Sequence, residues 1–363
     1  MLKGKVQKII IVISLLIIVA CSFALLFRDK ILDLTRPSQS IVQRETVEQI
    51  RETHRPHKTN KTEPTHHPLP SHKLKAPEAG SFKLTASQLD QLKEKIILPQ
   101  ISNYPGKIQI YFEIIASDQS ISYNNSQMYP ASLAKLFLMG AIFEEVQAGR
   151  LAYDENLAAL VTPMITYSDN KSFNDLLAIL ADRGRAKNPY KSLDEFCKKY
   201  AFKETVIHNY FILQPKEHEF LRNYLVDYNF WTSSRDVGHF FKLLAQGKLV
   251  SKEASDQMLD ILSRQERLSK LPHLLPETAK VCNKTGEFNN FSHDAALISS
   301  PNCDYILVVM SELLLPEKTY PDPDDEGDGG DSVEVSPDII LANPADQIMQ
   351  SLSLDIYNYL NKP

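Results

Sequence analysis

Cysteine is scarce in this chain: there are four in 363 residues, Cys21, Cys197, Cys282 and Cys303, far apart and never paired as C-x-x-C. Such spacing excludes a disulfide framework and offers no zinc-site pattern. At most one disulfide can join the last three, and free, buried thiols are the expected state. An excess of positive charge is also missing. Forty Lys and Arg stand against 45 Asp and Glu, a net charge of −5, so nucleic acid is excluded as an expected partner. No internal repeat is present. What remains, 43% hydrophobic and 23% charged residues, is ordinary globular composition with room for one sizeable domain plus appendages.

The N-terminus is the strongest compositional feature. Lys3, Lys5 and Lys8 precede an uncharged, mostly apolar run from Ile9 to Phe27. At helical rise the run spans about 28 Å, close to the hydrocarbon thickness of a bilayer. The lysines before it favour a cytoplasmic N-terminus and a C-terminal body outside. Residues 1–30 are therefore expected to be a membrane anchor. The alternative is a lipoprotein signal, because Ile18-Val19-Ala20-Cys21 resembles a lipobox. Either way the body faces the extracytoplasmic side of a bacterial envelope. Residues 31–82 read as a linker rich in His, Pro and Lys that cannot bury enough surface to order itself. His54, His57, His66, His67 and His72 lie there, half of the ten histidines. They are read as part of a solvated tether rather than as a metal site.

Residues 83–363 read as one catalytic domain. Leu89, Leu92, Ile96 and Ile97 recur at helical spacing after Thr85. Lys107 to Ile115 and Ser120 to Tyr123 form a hairpin pattern. Pro130 introduces a helix from Ser132 to about Gln147, closed by Gly149. Residues 150 to 270 read as mainly helical, with Asp236–Leu244 and Ser255–Leu262 the clearest segments. Val281–Thr285, Asp294–Ser299 and Tyr305–Glu312 read as strands, and residues 345–360 as a final amphipathic helix. Two strands, a helical block and three strands predict an α+β fold: an antiparallel five-stranded sheet flanked by helices plus an all-α lobe. The acidic insertion at 321–338 mimics the start of a calcium loop at Asp322, Asp324, Glu326 and Gly327, but lacks its terminal glutamate and flanking helices. A disordered acidic loop is the expectation.

Three short motifs carry chemistry. Ser132-Leu133-Ala134-Lys135 puts a hydroxyl and an amine three residues apart on one helix face. A serine needs a neighbouring base, and a desolvated lysine can serve. Alone this pattern is common, and Ser168-Asp169-Asn170-Lys171 satisfies it too. Ser168-Asp169-Asn170 and Lys284-Thr285-Gly286 complete a set in fixed order. With the PASLAKLF and NKTGEFNNFSHDAALI contexts, the chain resembles the penicillin-recognising serine enzymes, and most closely the class A β-lactamase-like family, over about residues 85–315 and the last helix.

The resemblance implies roles for matching residues. Ser132 would be the nucleophile, Lys135 its base or proton relay, and Ser168 the donor to the leaving nitrogen. Asn170 would bind the substrate amide and Lys135. Lys284 and Thr285 would bind the substrate carboxylate, and Gly286 would leave room for substrate backbone along the strand. The backbone N–H groups of Ser132 and Glu287 would form the oxyanion hole. No metal and no cofactor are implied. The partners would be a β-lactam or a peptidoglycan stem peptide, with the domain acting as a monomer.

Two departures from the family pattern follow. Aligning Thr205–Tyr210 with the start of the family's deacylation loop puts Phe211 where its glutamate belongs and Pro215 where its asparagine belongs. Glu204, Glu217 and Glu219 are nearby but out of register. The stretch between Lys135 and Ser168 is short. The expected activity is therefore open between a β-lactamase, a DD-peptidase or penicillin-binding protein with slow deacylation, and a non-catalytic binder. His293-Asp294 is read as a structural pair of strand residues, and the spacing of Glu204 and His208 as a surface contact rather than a metal pair.

Overall fold

A computed structural model describes residues 82–213, 215–314 and 343–362. The anchor or lipoprotein signal, the His-rich linker and the acidic insertion lie outside the described residues. Among the described residues no helix is long and apolar enough to cross a membrane.

Helix α1 (Ala86–Gln91) starts where Thr85 and Gln88 form a reciprocal capping box, which satisfies two otherwise orphaned backbone donors. It runs into a π-helical stretch, Leu92–Ile97, and the short α2, Leu98–Ile101. The hydrophobic spacing there fits a helix but does not reveal the wider π turn. Strands β1 (Gly106–Ile114) and β2 (Gln119–Tyr123) form the expected hairpin. A 3-10 turn, Ala131–Leu133, leads into α3, Ala134–Gln147. Helices α4 (Glu155–Thr166), α5 (Asn170–Arg183) and α6 (Pro189–Lys199) follow. A two-stranded ribbon, β3 (Val206–Ile207) with β4 (Phe230–Trp231), interrupts the helical block that the sequence suggests. Helices α7 (Ser234–Ala245) and α8 (Lys252–Leu262) complete it. Strands β5 (Lys280–Phe288), β6 (Phe291–Ser299) and β7 (Asp304–Leu313) return to the sheet, and α9 (Pro344–Leu360) closes the domain.

The sheet order is β2-β1-β7-β6-β5, antiparallel throughout. This is the α+β architecture the sequence predicts. Alternation of side chains gives the sheet two buried faces. Tyr305, Leu307 and Val309 of β7 pack with α9 and the N-terminal helices, whereas Ile306, Val308 and Met310 pack with the helical block. The site-bearing elements belong to that second layer and to β5, the edge strand.

Helix α3 is apolar on nearly every side: Leu136, Phe137, Leu138, Met139, Ala141, Ile142 and Phe143 are all buried. A helix of this kind runs through a core rather than along its surface. It is anchored where α6 crosses at Gly140, since a Cβ there would sit 2.2 Å from Cζ of Phe196. Gly140→Ala is therefore expected to cost about 1–3 kcal/mol in urea unfolding, the usual penalty for overpacking. Adding Phe196→Leu should recover part of that loss. Strict additivity of the two substitutions would show that the contact does not set the helix spacing.

Candidate active site

Ser132 sits in the 3-10 turn, about one turn before Lys135 and ahead of the α-helix proper. This corrects the expectation of an α-helix beginning at Ser132. The turn is tight: Ala131 holds φ +47°, and the Leu133 N–H donates to the Pro130 carbonyl at 3.0 Å. A left-handed alanine costs on the order of 1–2 kcal/mol and must be held by its surroundings. Two features hold it. The His293 ring nitrogen Nε2 lies 2.9 Å from the Tyr129 carbonyl, and the Ser311 N–H donates to Nδ1 at 3.1 Å. These partners fix the tautomer with hydrogen on Nε2. Gly286 is the second feature. A Cβ there would lie 3.1 Å from the Pro130 carbonyl oxygen and 3.3 Å from Leu133 Cγ. The glycine lets β5 press against the serine's turn, a different use from leaving space for a ligand.

Lys135 is fully buried. Its Nζ lies 3.1 Å from Ser132 Oγ, 3.2 Å from Ser168 Oγ, 2.6 Å from the Ser168 carbonyl oxygen and 2.6 Å from Asn170 Oδ1. Burial lowers its pKa to about 7. Asp169 opposes the shift and the Arg267 charge adds to it. A neutral amine has two hydrogens. Spent on the two closest oxygens, they leave the nitrogen lone pair for the Ser132 hydroxyl.

Ser168 has φ +65°, and Asp169 after it caps α5 by accepting from the Ser172 N–H at 2.6 Å. The turn before the cap aims the Ser168 hydroxyl between two lysines. Lys284 Nζ donates to Ser168 Oγ at 2.9 Å and to the Thr285 carbonyl at 2.7 Å. Lys284 is also fully buried, and desolvation with the nearby Lys135 and Arg267 charges pulls its pKa well down. Thr285 is buried opposite Asp294 in the β5–β6 ladder. Glu287 comes next, its carboxylate 2.9 Å from both Arg267 and Lys270. Burial pushes that carboxyl up, but the two cations outweigh it and hold it low. The three motifs thus meet around Ser168.

Phe211 faces the same amine. Lys135 Nζ stands 4.7 Å from the centre of its ring. The Phe211 backbone is locked in both directions by Asn174, whose amide donates to its carbonyl at 2.7 Å and accepts from its N–H at 2.9 Å. Among the described residues, no hydrogen bond of Ser132, Lys135 or Ser168 goes to a carboxylate. The His208 ring lies between Asp194 and Asp227, at 2.9 and 2.6 Å. Among the described residues no group of side chains could hold a metal ion. Cys197, Cys282 and Cys303 are free and buried.

Residues 90–159 and 156–360 match the model of the beta-lactamase enzyme family. The chain belongs to that family. No curated protein sequence matches it. Among solved structures, a beta-lactamase from Sphaerobacter thermophilus superposes with a TM-score of 0.57 at 16% identity, covering 77% of this chain and 100% of that one. PBP-A gives 0.55 at 20% identity, over 77% of this chain and 98% of its own. A beta-lactamase from Chitinophaga pinensis gives 0.56 at 15%, over 75% and 100%. At such identities the likeness is one of fold, and it agrees with a penicillin-recognising serine hydrolase family.

Arg267 and Lys270 are the participants that sequence reading misses. They come from the connection between α8 and β5, where no motif marks them, and only folding brings their charge beside Glu287. His293 and Asp294 do not pair. Asp294 accepts from the Leu271 N–H and the Asn283 amide, both at 3.1 Å. Burial lowers the His293 pKa from 6.5 to about 4 and raises that of Asp294 from 3.8 to about 6. The signs oppose. The His293 contribution to stability is complete above pH 6.5 and lost as pH falls towards 4. The Asp294 contribution is complete below pH 3.8 and lost as pH rises through 6. Asp294→Asn should therefore leave the histidine slope uncompensated. Its unfolding free energy should rise more steeply than wild type between pH 4 and 6, by up to about 3 kcal/mol. Parallel curves would show that these two groups do not control acid stability.

Proposed function

We propose that this chain acylates itself on Ser132 with β-lactams or D-Ala-D-Ala-type amides and releases the acyl group slowly, as a penicillin-binding protein does. The observation that carries the reading is the Lys135 amine, 3.1 Å from Ser132 Oγ, with an aromatic ring rather than a carboxylate on its open side. As Ser132 Oγ bonds to the carbonyl carbon, its proton passes to Lys135 Nζ. The oxyanion develops at the N–H groups of Ser132 and Glu287. When the C–N bond breaks, the proton returns through the Ser168 hydroxyl to the leaving nitrogen. Lys284 and Thr285 hold the substrate carboxylate, and Asn170 holds its amide. A lysine with a pKa of about 7 is poised for this work at neutral pH.

Deacylation needs a base for water. Phe211 offers none, which favours a persistent ester over rapid turnover. The N-terminal run, read as an anchor or lipid attachment, is in keeping with an extracytoplasmic, membrane-tethered domain facing the cell wall.

Labelled penicillin added to the full chain should leave an adduct on Ser132 that survives for many minutes, and Ser132→Ala should abolish it without unfolding the domain. Release within seconds would make the protein a β-lactamase instead, and no labelling of folded protein would leave only a binding module. Phe211→Glu should shorten the adduct lifetime by at least about tenfold, within the range of general-base effects.

The rate of acylation should rise with pH through about 7, as Lys135 loses its proton, and then level off. Arg267→Gln removes a charge that lowers the Lys135 pKa, so the midpoint should move upwards. A midpoint unchanged in that variant would separate the rate-controlling ionisation from Lys135.

A further inference from the structure

The Glu287 N–H stands at a free edge. A two-residue turn, Asn289 and Asn290, joins β5 to β6. Such a turn makes Phe288 and Phe291 the first hydrogen-bonded pair of the hairpin, and Gly286 with His293 the next. Glu287 falls between them, so its N–H and C=O point away from β6. Strand β5 is the outer strand of the sheet, and no strand fills that side. The edge leaves the Glu287 N–H open to a substrate oxygen. It also leaves this part of β5 without a second strand to hold it.

The Glu287 side chain supplies the missing hold. Its carboxylate meets Arg267 and Lys270, each at 2.9 Å. Arg267 is half-exposed, whereas Lys270 is buried. Lys270 Nζ also donates to the His293 carbonyl at 3.2 Å and lies 3.9 Å from Asp346 in the first turn of α9. One ammonium thus ties the edge strand to β6 and to α9. His293 is the residue whose ring holds the Tyr129 carbonyl ahead of the serine's turn. The N–H groups of Ser132 and Glu287 therefore both lean on groups that Lys270 touches. Stability alone is a poor reason for such a lysine. Burying an ammonium costs several kcal/mol, and apolar side chains of similar volume often replace a buried ion pair without loss. Resting on the acylation reading above, we propose that Lys270 is a positioning residue that fixes the spacing of the two oxyanion donors, through the Glu287 carboxylate on one side and the His293 carbonyl on the other. Its service is to the charge that develops during attack, not to the bound substrate.

Lys270→Met in the full chain tests this at a temperature where circular dichroism shows the variant folded. Three quantities are compared with wild type. The first is the maximal rate of Ser132 acylation by benzylpenicillin. The second is equilibrium binding of benzylpenicillin when Ser132→Ala is present in both proteins. The third is affinity for phenylboronic acid: Ser132 Oγ bonds to boron, the hydroxyl proton leaves to solvent, and the tetrahedral boron anion places an oxygen where the oxyanion would lie. Acylation rate and boronate affinity should each fall about ten- to a hundredfold, while benzylpenicillin binding stays within about twofold. Glu287→Gln should give a smaller loss of the same kind, and should add little to Lys270→Met because both act through one contact. An equal fall in benzylpenicillin binding, or full multiplication of the two effects, overturns the role. If Lys270→Met does not fold, Glu287→Gln decides, and wild-type values in it overturn the role. If wild type forms no penicillin adduct but its boronate affinity falls in Lys270→Met, the acylation reading fails and the positioning role stands. If adducts form and both rate and boronate affinity are unchanged in Lys270→Met, the role is wrong and the acylation reading stands. A wild-type protein that takes neither compound overturns the role.

Discussion

Two lysine side chains are buried around one serine hydroxyl, and the rest of the site is arranged to make that tolerable. Lys135 and Lys284 are both inaccessible to solvent, and both nitrogens lie within hydrogen-bond distance of Ser168 Oγ, at 3.2 and 2.9 Å. Burying one ammonium costs several kcal/mol unless it is paired, and two close together also repel. The protein surrounds the amines with neutral oxygens instead of carboxylates: Ser132, Ser168, Asn170 and the Thr285 carbonyl. Such partners satisfy hydrogen bonds without cancelling the desolvation. Both pKa values consequently fall, and one amine becomes a base near neutrality. A carboxylate in direct contact would stabilise the protonated lysine and remove that property.

This arrangement tolerates little movement, which explains the rigidity of the walls. The serine's turn is fixed from three sides. His293 ties its approach to the sheet through backbone partners, Gly286 lets β5 press on it, and α3 continues it into the core. Two non-glycine residues, Ala131 and Ser168, adopt left-handed backbone next to the reacting groups. Strain of this kind persists only where packing over-determines it. The same contacts make His293 and Asp294 part of the architecture: one is buried neutral against a backbone carbonyl, and the other is satisfied by Asn283 and Leu271.

Much of this is legible in the sequence because the chemistry depends on local spacing. Ser132 and Lys135 share one turn, Asp169 must cap a helix, and Lys284-Thr285-Gly286 must lie on a strand. Alternating and helical periodicities likewise mark the five strands and the long helices. What stays hidden depends on contacts between distant segments. Arg267 and Lys270 look like ordinary charges in a connection until β5 brings Glu287 to them. The packing of Phe288 on Tyr129 joins residues 159 positions apart, and no periodicity relates them. The use of Gly286 is hidden for the same reason, since its neighbour is the Pro130 carbonyl rather than anything in its own strand. The π turn after α1 is invisible because a single wide turn leaves the spacing of Leu89, Leu92 and Ile96 compatible with an ordinary helix.

Phe211 shows how one contact can separate two halves of a reaction. An aromatic face attracts an ammonium by roughly 0.5–2 kcal/mol, but it neither accepts nor donates a proton. Before attack, the ring helps exclude water from Lys135 and so favours the neutral amine that the serine needs. During attack the lysine gains a proton, and the ring then faces a cation that it stabilises. Acylation is served at both stages. Hydrolysis of the ester requires a group that can take a proton from water, and the locked backbone between Asn174 and Phe211 keeps an aromatic ring against the amine. A glutamate in its place would supply that base, yet its charge would raise the Lys135 pKa and hold the lysine protonated before attack. The same position therefore sets a choice: lysine as the base for acylation with a long-lived adduct, or a carboxylate taking over the base role with rapid release.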